Sequence, residues 1–259
     1  LDVKKALDEA DGDAEKAIEI IRVKGLEGIA KREGRSATAG LIAAKVVEDG
    51  GSQVGVLVEV NAETDFVAKN EKFIDFAAKV LDAAIASGAQ TAEELAEAVA
   101  DGGSVKELTD SMQAVIGEKI VVRRVARLAA PRVDTYLHRT NPDLPAQVAV
   151  LVGTDEAAAE VAHDIAMHIA AYSPLYLARE DVPEETVAKE RAIAEETTRA
   201  EGKPEKAIPK IVEGRLSGFF KENVLVDQAF AKDPKTTVGK VVEATGGELT
   251  GFVRFRVGA

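Results

Sequence analysis

With 259 residues, 46% of them hydrophobic, the chain has material for one large core or two small ones, and its 30% charged residues are dispersed along it, which argues against wholesale disorder. The net charge of -12 disfavours nucleic acid and anionic membrane as partners, because phosphate-rich surfaces repel an acidic protein. The absence of cysteine removes disulfides, thiolate nucleophiles and Cys-based metal sites and fits a reducing cytoplasm.

No apolar run reaches the length of a membrane-spanning helix, and Leu1 opens into a charged segment without a signal-peptide pattern. Residues 1–24 read as two short helices, Asp2 to Ala10 and Ala14 to Arg22, around the turn-forming Asp11-Gly12-Asp13. Leu7, Ala10, Ala17, Ile18 and Ile21 are too few to close a core, so a preceding helix or a partner is expected. Lys24, Gly25 and the stretch to Gly34 read as a linker with some helical content, placing a boundary near residue 25.

From Ile42 to Val47 and Val54 to Val60 the pattern predicts two antiparallel strands, joined by Asp49-Gly50-Gly51-Ser52. Residues 71–87 return to helical spacing, with Phe73, Phe76, Ala77, Val80 and Leu81 on one face. Thr91 with Glu94 and Ser104 with Glu107 have capping-box spacing and predict two more short helices before a strand from Ile120 to Leu128.

The second half loosely repeats this plan, with strands at Val133 to His138 and Gln147 to Val152, a helix at Glu156 to Ala171 and a last strand at Leu249 to Val257. Asp181 to Glu201 and Glu205 to Phe220 read as an inserted antiparallel helical hairpin turning at Gly202-Lys203-Pro204. The expected fold class is α+β: a partial helical module at 1–24, core subdomains at 25–132 and at 133–180 with 221–259, and the hairpin at 181–220, each subdomain carrying a small antiparallel sheet packed with helices.

Phosphate-binding and dinucleotide glycine patterns are absent, so no nucleotide site and no cofactor is expected in the chain itself. His163 and His168 fall about 140° apart around a helix, a poor arrangement for a metal pair, and no metal site is assigned. Glu63 and Asp65 form a carboxylate pair without a supporting His or Lys, so no catalytic residue is assigned and an acidic hydrolase is the weaker reading. Arg123, Arg124, Arg127 and Arg132 are split between strand faces and read as a solvated face.

The segment from Asn61 to Asn70 follows a strand and precedes a helix, with acid and aromatic at its centre. Two accounts stand. Thr64 or Asp65 caps a helix with Phe66 tucked beneath the first turn, or Phe66 is exposed on a tight turn and awaits a protein pocket.

Thr64-Asp65-Phe66-Val67-Ala68-Lys69-Asn70, preceded by Asn61-x-Glu63, resembles the signature segment of the elongation factor Ts family. Lys4-Lys5-Ala6-Leu7 with Asp11-Gly12-Asp13 and Lys24-Gly25 resembles that family's ubiquitin-associated-like N-terminal module without its first helix. Ile165-Ala166-Met167-His168, Lys210-Ile211-Val212-Glu213-Gly214-Arg215 and Gly251-Phe252-Val253-Arg254-Phe255 extend the resemblance over essentially the whole chain. Two departures are Ala62, where many relatives carry Cys, and the end at Ala259 without the extra C-terminal helix some relatives have.

The resemblance implies a cytoplasmic guanine-nucleotide exchange factor that binds elongation factor Tu, GDP-bound or nucleotide-free, and promotes GDP release in translation elongation. It implies that Asp65 and Phe66 wedge near the partner's magnesium site while Thr64 and Val67 hold the wedge in shape. Further candidates for partner contact are Lys24, His138 and His168, the two histidines having structural packing as the competing account. A scaffold acting through the hairpin is the remaining alternative.

Overall fold

Asp11 and Gly12 both adopt positive φ, 50° and 81°, turning helix α1 (Asp2–Glu9) into helix α2 (Ala14–Arg32). The computed structural model describes residues 2–259. Asp13 caps α2 by accepting the backbone N–H groups of Glu15 and Lys16, and Ala6, Ala10 and Ala17 form a small buried cluster with Leu7 and Ile20. The helix expected to stop at Arg22 continues through Gly25 and Gly28 to Arg32. Tertiary contact explains the extension. A Cβ on Gly25 would lie 2.8 Å from the Cβ of Ala114, and Arg32 donates to the Gln113 carbonyl at 3.3 Å, contacts that outweigh the roughly 1 kcal/mol a helical glycine costs.

Strands β1 (Ala39–Asp49) and β2 (Ser52–Ala62) pair in unbroken register from Ala39↔Ala62 to Asp49↔Ser52. Gly50 and Gly51 turn between them at φ 55° and 91°, a conformation that side chains with a Cβ resist. The single-turn helix α3 (Asp65–Ala68) leads to α4 (Glu71–Ser87), α5 (Ala92–Glu97), a ribbon of β3 (Val99–Ala100) and β4 (Gly103–Ser104), and α6 (Val105–Ile116). Ser104 and Glu107 complete a reciprocal capping box. At Thr91 only half of one forms, since the Glu94 carboxylate accepts from the Gln90 N–H at 2.8 Å.

Strand β5 (Val121–Ala130) completes a three-stranded antiparallel sheet in the order β1-β2-β5. Then follow β6 (Arg132–His138), β7 (Val148–Thr154), α7 (Ala162–Tyr172), α8 (Glu184–Ala200), α9 (Ile208–Asn223), β8 (Ala229–Phe230), β9 (Asp233–Thr237), α10 (Val238–Glu243) and β10 (Leu249–Arg256). The second sheet is ordered β10-β7-β6. The helix expected from Glu156 begins later because Asp155 Oδ1 accepts the Ala158 N–H and a 3₁₀ turn, Ala159–Val161, intervenes. The small elements β8, β9 and α10 fall in a stretch where the sequence showed no period.

Alternation along β2 and β7 stacks the layers. Val54, Val56, Val58 and Val60 face Phe73, Phe76 and Val80 of α4, while Leu57 on the opposite side meets Ala149 and Leu151 of β7. Val150 and Val152 of β7 face Ile165 and Ile169 of α7. The order is helix, sheet, sheet, helix, and β2 is buried on both faces. Gly55 permits the close approach: a Cβ there would lie 2.8 Å from both a Leu151 and a Val133 methyl carbon.

The hairpin has its own apolar seam of Ala194, Ile208, Val212 and Leu216, flanked by Phe220, and is laced by ion pairs Arg191–Glu213 and Arg215–Glu201. Two arginines expected on a solvated face are instead structural. Arg124 binds the buried carboxylate of Glu59 at 3.1 Å and covers the Phe255 ring at 4.0 Å, and Arg127 donates to the Ala84 carbonyl at 2.9 Å. Arg132 pairs with Glu156 at 2.9 Å, and Arg123 stays exposed while donating to the Ala259 carbonyl. Burial of Glu59 demands a cation, which strand alternation alone does not reveal.

Candidate functional site

β2 ends at Ala62, and the chain turns sharply into α3. Thr64 has extended dihedrals, φ -131° and ψ 155°, and its hydroxyl accepts the Val67 N–H at 3.4 Å, so it is the N-cap. Its carbonyl accepts from Ala68 at 3.1 Å and the Asp65 carbonyl accepts from Lys69 at 3.2 Å, closing one helical turn. Asn70 then caps α4 through the Lys72 N–H. Two caps in seven residues leave the turn little freedom.

Val67 and Ala68 are buried, Val67 within the cluster under α4 and β2, and they anchor the turn. The geometry of one turn then sends Asp65 and Phe66 outward. Phe66 is 78% exposed, more than any other described aromatic residue, with the Lys69 ammonium 5.2 Å from its ring centre. The two accounts of this segment therefore combine: Thr64 is a cap, and Phe66 is a surface residue and not part of the core.

The turn is fastened from below by a residue the sequence reading missed. Glu118 accepts the backbone N–H groups of Glu63 and Thr64, both at 3.1 Å, and the Thr64 hydroxyl at 2.7 Å. Nothing in its local pattern marks it, since it follows the C-cap Gly117 as an ordinary loop acid. The Glu63 carboxylate accepts the Lys119 N–H at 2.7 Å and pairs with Arg35 at 3.4 Å, so Glu63 is structural here.

Lys24, His138 and His168 lie on other elements, and no described hydrogen bond joins them to the turn. Lys24 is exposed on α2 and pairs with Glu9 at 2.7 Å. His138 is exposed at the end of β6, its Nδ1 2.9 Å from the Tyr136 hydroxyl. His168 is 1% exposed and fully engaged inside: Nδ1 accepts the Ala231 N–H at 3.1 Å, Nε2 lies 2.8 Å from Gln228 Oε1, and the ring stacks on Tyr172. Accepting at Nδ1 makes Nε2 the donor to Gln228, which is the neutral tautomer. Burial pushes the His168 pKa down, partly offset by the Gln228 hydrogen bond. Packing thus accounts for His168, and its partner Gln228 gave no sequence signal.

Among the described residues no group of three or more His, Cys, Asp or Glu gathers as a metal site, and no helix is long and apolar enough to cross a membrane. His163 is instead 2.8 Å from Asp134.

A sequence model of the family Elongation factor TS matches residues 63–259, a span that begins beside this turn and takes in β5 of the first sheet, the whole second sheet and the hairpin. The chain belongs to the elongation factor Ts family. It is 68% identical over 261 aligned residues to Elongation factor Ts of Beutenbergia cavernae, covering all of this chain and 93% of that relative. Elongation factor Ts of Micrococcus luteus is 62% identical with 92% of its length covered, and that of Kineococcus radiotolerans 54% with 93%. The family resemblance carried by the Thr64–Asn70 segment is thus matched across the fold.

Proposed function

We infer that the chain is a nucleotide exchange factor for elongation factor Tu in translation elongation, and that the Thr64–Val67 turn is the part that acts. The observation that carries the reading is Phe66, held outward on a doubly capped turn in a member of this family. An exposed phenyl ring gains nothing from water and about 1.5–3 kcal/mol on entering a protein pocket. Binding energy of that size, realised only with the nucleotide-free partner, weakens GDP by the same factor, because the coupling is reciprocal.

In this reading Asp65 and Phe66 enter between elements near the partner's magnesium site. Magnesium keeps a strict octahedral shell, so a small displacement of a ligand-bearing element loosens the ion and then the diphosphate it bridges. Thr64 and Val67 shape the turn. The chain supplies shape and binding energy and no catalytic group, and acts in the cytoplasm. The finer organisation follows the same proposal: residues 1–24 as a partial ubiquitin-associated-like module, 25–132 and 133–180 with 221–259 as core subdomains, and 181–220 as an inserted arm. Helix α2 spans the first of these divisions.

The test is release of labelled GDP from elongation factor Tu, with and without the chain. Acceleration by the intact chain and its loss in a folded Phe66→Ala variant support the reading. Full acceleration by that variant overturns the wedge, and none by the intact chain overturns the exchange function.

A further inference from the structure

The fastening beneath the turn is built from two loops far apart in sequence. Glu118 spends both carboxylate oxygens on the turn, taking two backbone N–H groups and one hydroxyl. Glu63, on the turn, answers by accepting the backbone N–H of Lys119 at 2.7 Å. This is the reciprocal logic of a capping box, transferred from one helix end to two loops.

The seat of Glu118 is itself fixed. Gln113, buried on α6, accepts the Ile120 N–H through its side-chain oxygen at 3.2 Å, and its carbonyl accepts from Gly117 at 2.9 Å. The loop that carries Glu118 is therefore bound to α6 at both ends. The Thr64 hydroxyl joins the two halves of the device. It donates to Glu118 Oε1 and accepts from the Val67 N–H, so the carboxylate fixes the direction of the donor and leaves a lone pair toward the cap.

We propose that Glu118 is a positioning residue for nucleotide exchange: it orders the Thr64–Asn70 turn in advance, so that Phe66 meets the partner in one orientation. This rests on the reading of Phe66 given above. A turn that is not ordered beforehand is binding-competent for only a fraction of the time, and apparent affinity falls by that fraction. Carboxylate-to-amide hydrogen bonds suit the task because they are charge-assisted and directional. Glu118 acts through Thr64 and the backbone at 63–64.

The experiment compares the full chain with Glu118→Gln, Phe66→Ala and the double variant, measuring GDP release from elongation factor Tu over a range of chain concentrations. Glutamine keeps the size but only one accepting oxygen. Glu118→Gln should lower the rate per unit concentration about tenfold, the size expected when roughly a tenth of the turns remain competent. In the Phe66→Ala background the same change should alter the rate less than about twofold, since the group being positioned is gone.

Amide exchange at Glu63 and Thr64 should accelerate in Glu118→Gln with the global melt retained. An equal defect in both backgrounds, no defect at all, or unaltered protection of those amides overturns the positioning role. If Glu118→Gln melts early, Glu118→Asp, which keeps the charge on a shorter arm, enters the same cycle under the same criteria. Failure of the wedge reading shows separately, as a Phe66→Ala chain that exchanges at full rate.

Discussion

The carboxylate of Glu59, fully buried in β2, meets the guanidinium of Arg124 at 3.1 Å, while the second carboxylate oxygen accepts the Gly258 N–H at 3.4 Å. Arg124 also donates to the Arg256 carbonyl at 2.9 Å, so one ion pair joins the first sheet to the end of β10. Removing the cation would strand a charge where water cannot reach it. Arg124→Ala is expected to destabilise the chain by about 3–5 kcal/mol in urea titrations. A loss under about 1 kcal/mol would mean that Glu59 finds another partner or a proton.

Phe66→Ala should behave in the opposite way. The side chain is exposed, so the melt should move by no more than about 0.5 kcal/mol, against roughly 3–5 for a core phenylalanine. Exchange on elongation factor Tu should nevertheless fall about ten- to a hundredfold, the equivalent of burying one phenyl ring. Asp65→Ala should also slow exchange, and chelating magnesium should narrow its deficit. A deficit that chelation leaves unchanged would separate Asp65 from the magnesium step.

The hairpin closes its own seam and pairs Arg191 with Glu213 across its two helices. Joining those two positions by a short Gly-Ser linker in place of residues 192–212 should leave the base of the hairpin intact, where Leu175 and Tyr176 bond the Asn223 carbonyl. Exchange is expected to stay within about twofold of the full chain, as for a peripheral element. Loss of exchange in a folded variant of this kind would place the active surface on the arm.

His168 gives stability a defined dependence on pH. Its folded pKa lies below the ordinary value of 6.5 because burial disfavours the imidazolium, and protonation of Nδ1 would also break the bond from Ala231. Above about pH 6.5 neither state binds the proton and the contribution is complete. As pH falls below that value the unfolded chain takes up a proton that the folded chain refuses, and stability declines until the folded pKa is reached. His168→Gln should remove this part of the slope between about pH 6.5 and the folded pKa. An unchanged slope in denaturant titrations would assign it to other groups.

The main strands and the Thr64 cap were legible because each rests on local chemistry: alternation along 54–60, the glycines at 50–51, a hydroxyl before a short helix. The mixed α/β character followed from those pieces. What sequence did not disclose was long-range. Helix α2 outruns its glycines because Ala114 lies against it, Arg124 turns inward because Glu59 is buried, and Glu118 seats the turn from a loop with no period. The region from 225 to 243 was silent because strands of two to five residues, broken by a register shift, leave no repeat to read. The outward side chain of Phe66 needed the structure to separate it from Val67, since either could have been the inward member of one helical turn.

The double burial of β2 has a consequence for synthesis. The face toward α4 is covered by residues no later than Val125, so it can close soon after the first half of the chain emerges. The opposite face, with Ile42 and Leu57, has partners at Ala149, Leu151 and Phe255, and β10 pairs with β7 about a hundred positions back. A nascent chain therefore carries an apolar sheet face that β6 and β7 cover only in part until β10 has left the ribosome. The closing contacts are the least local in the fold, which makes docking of β10 a slow event and the interval before it the period of greatest exposure to aggregation.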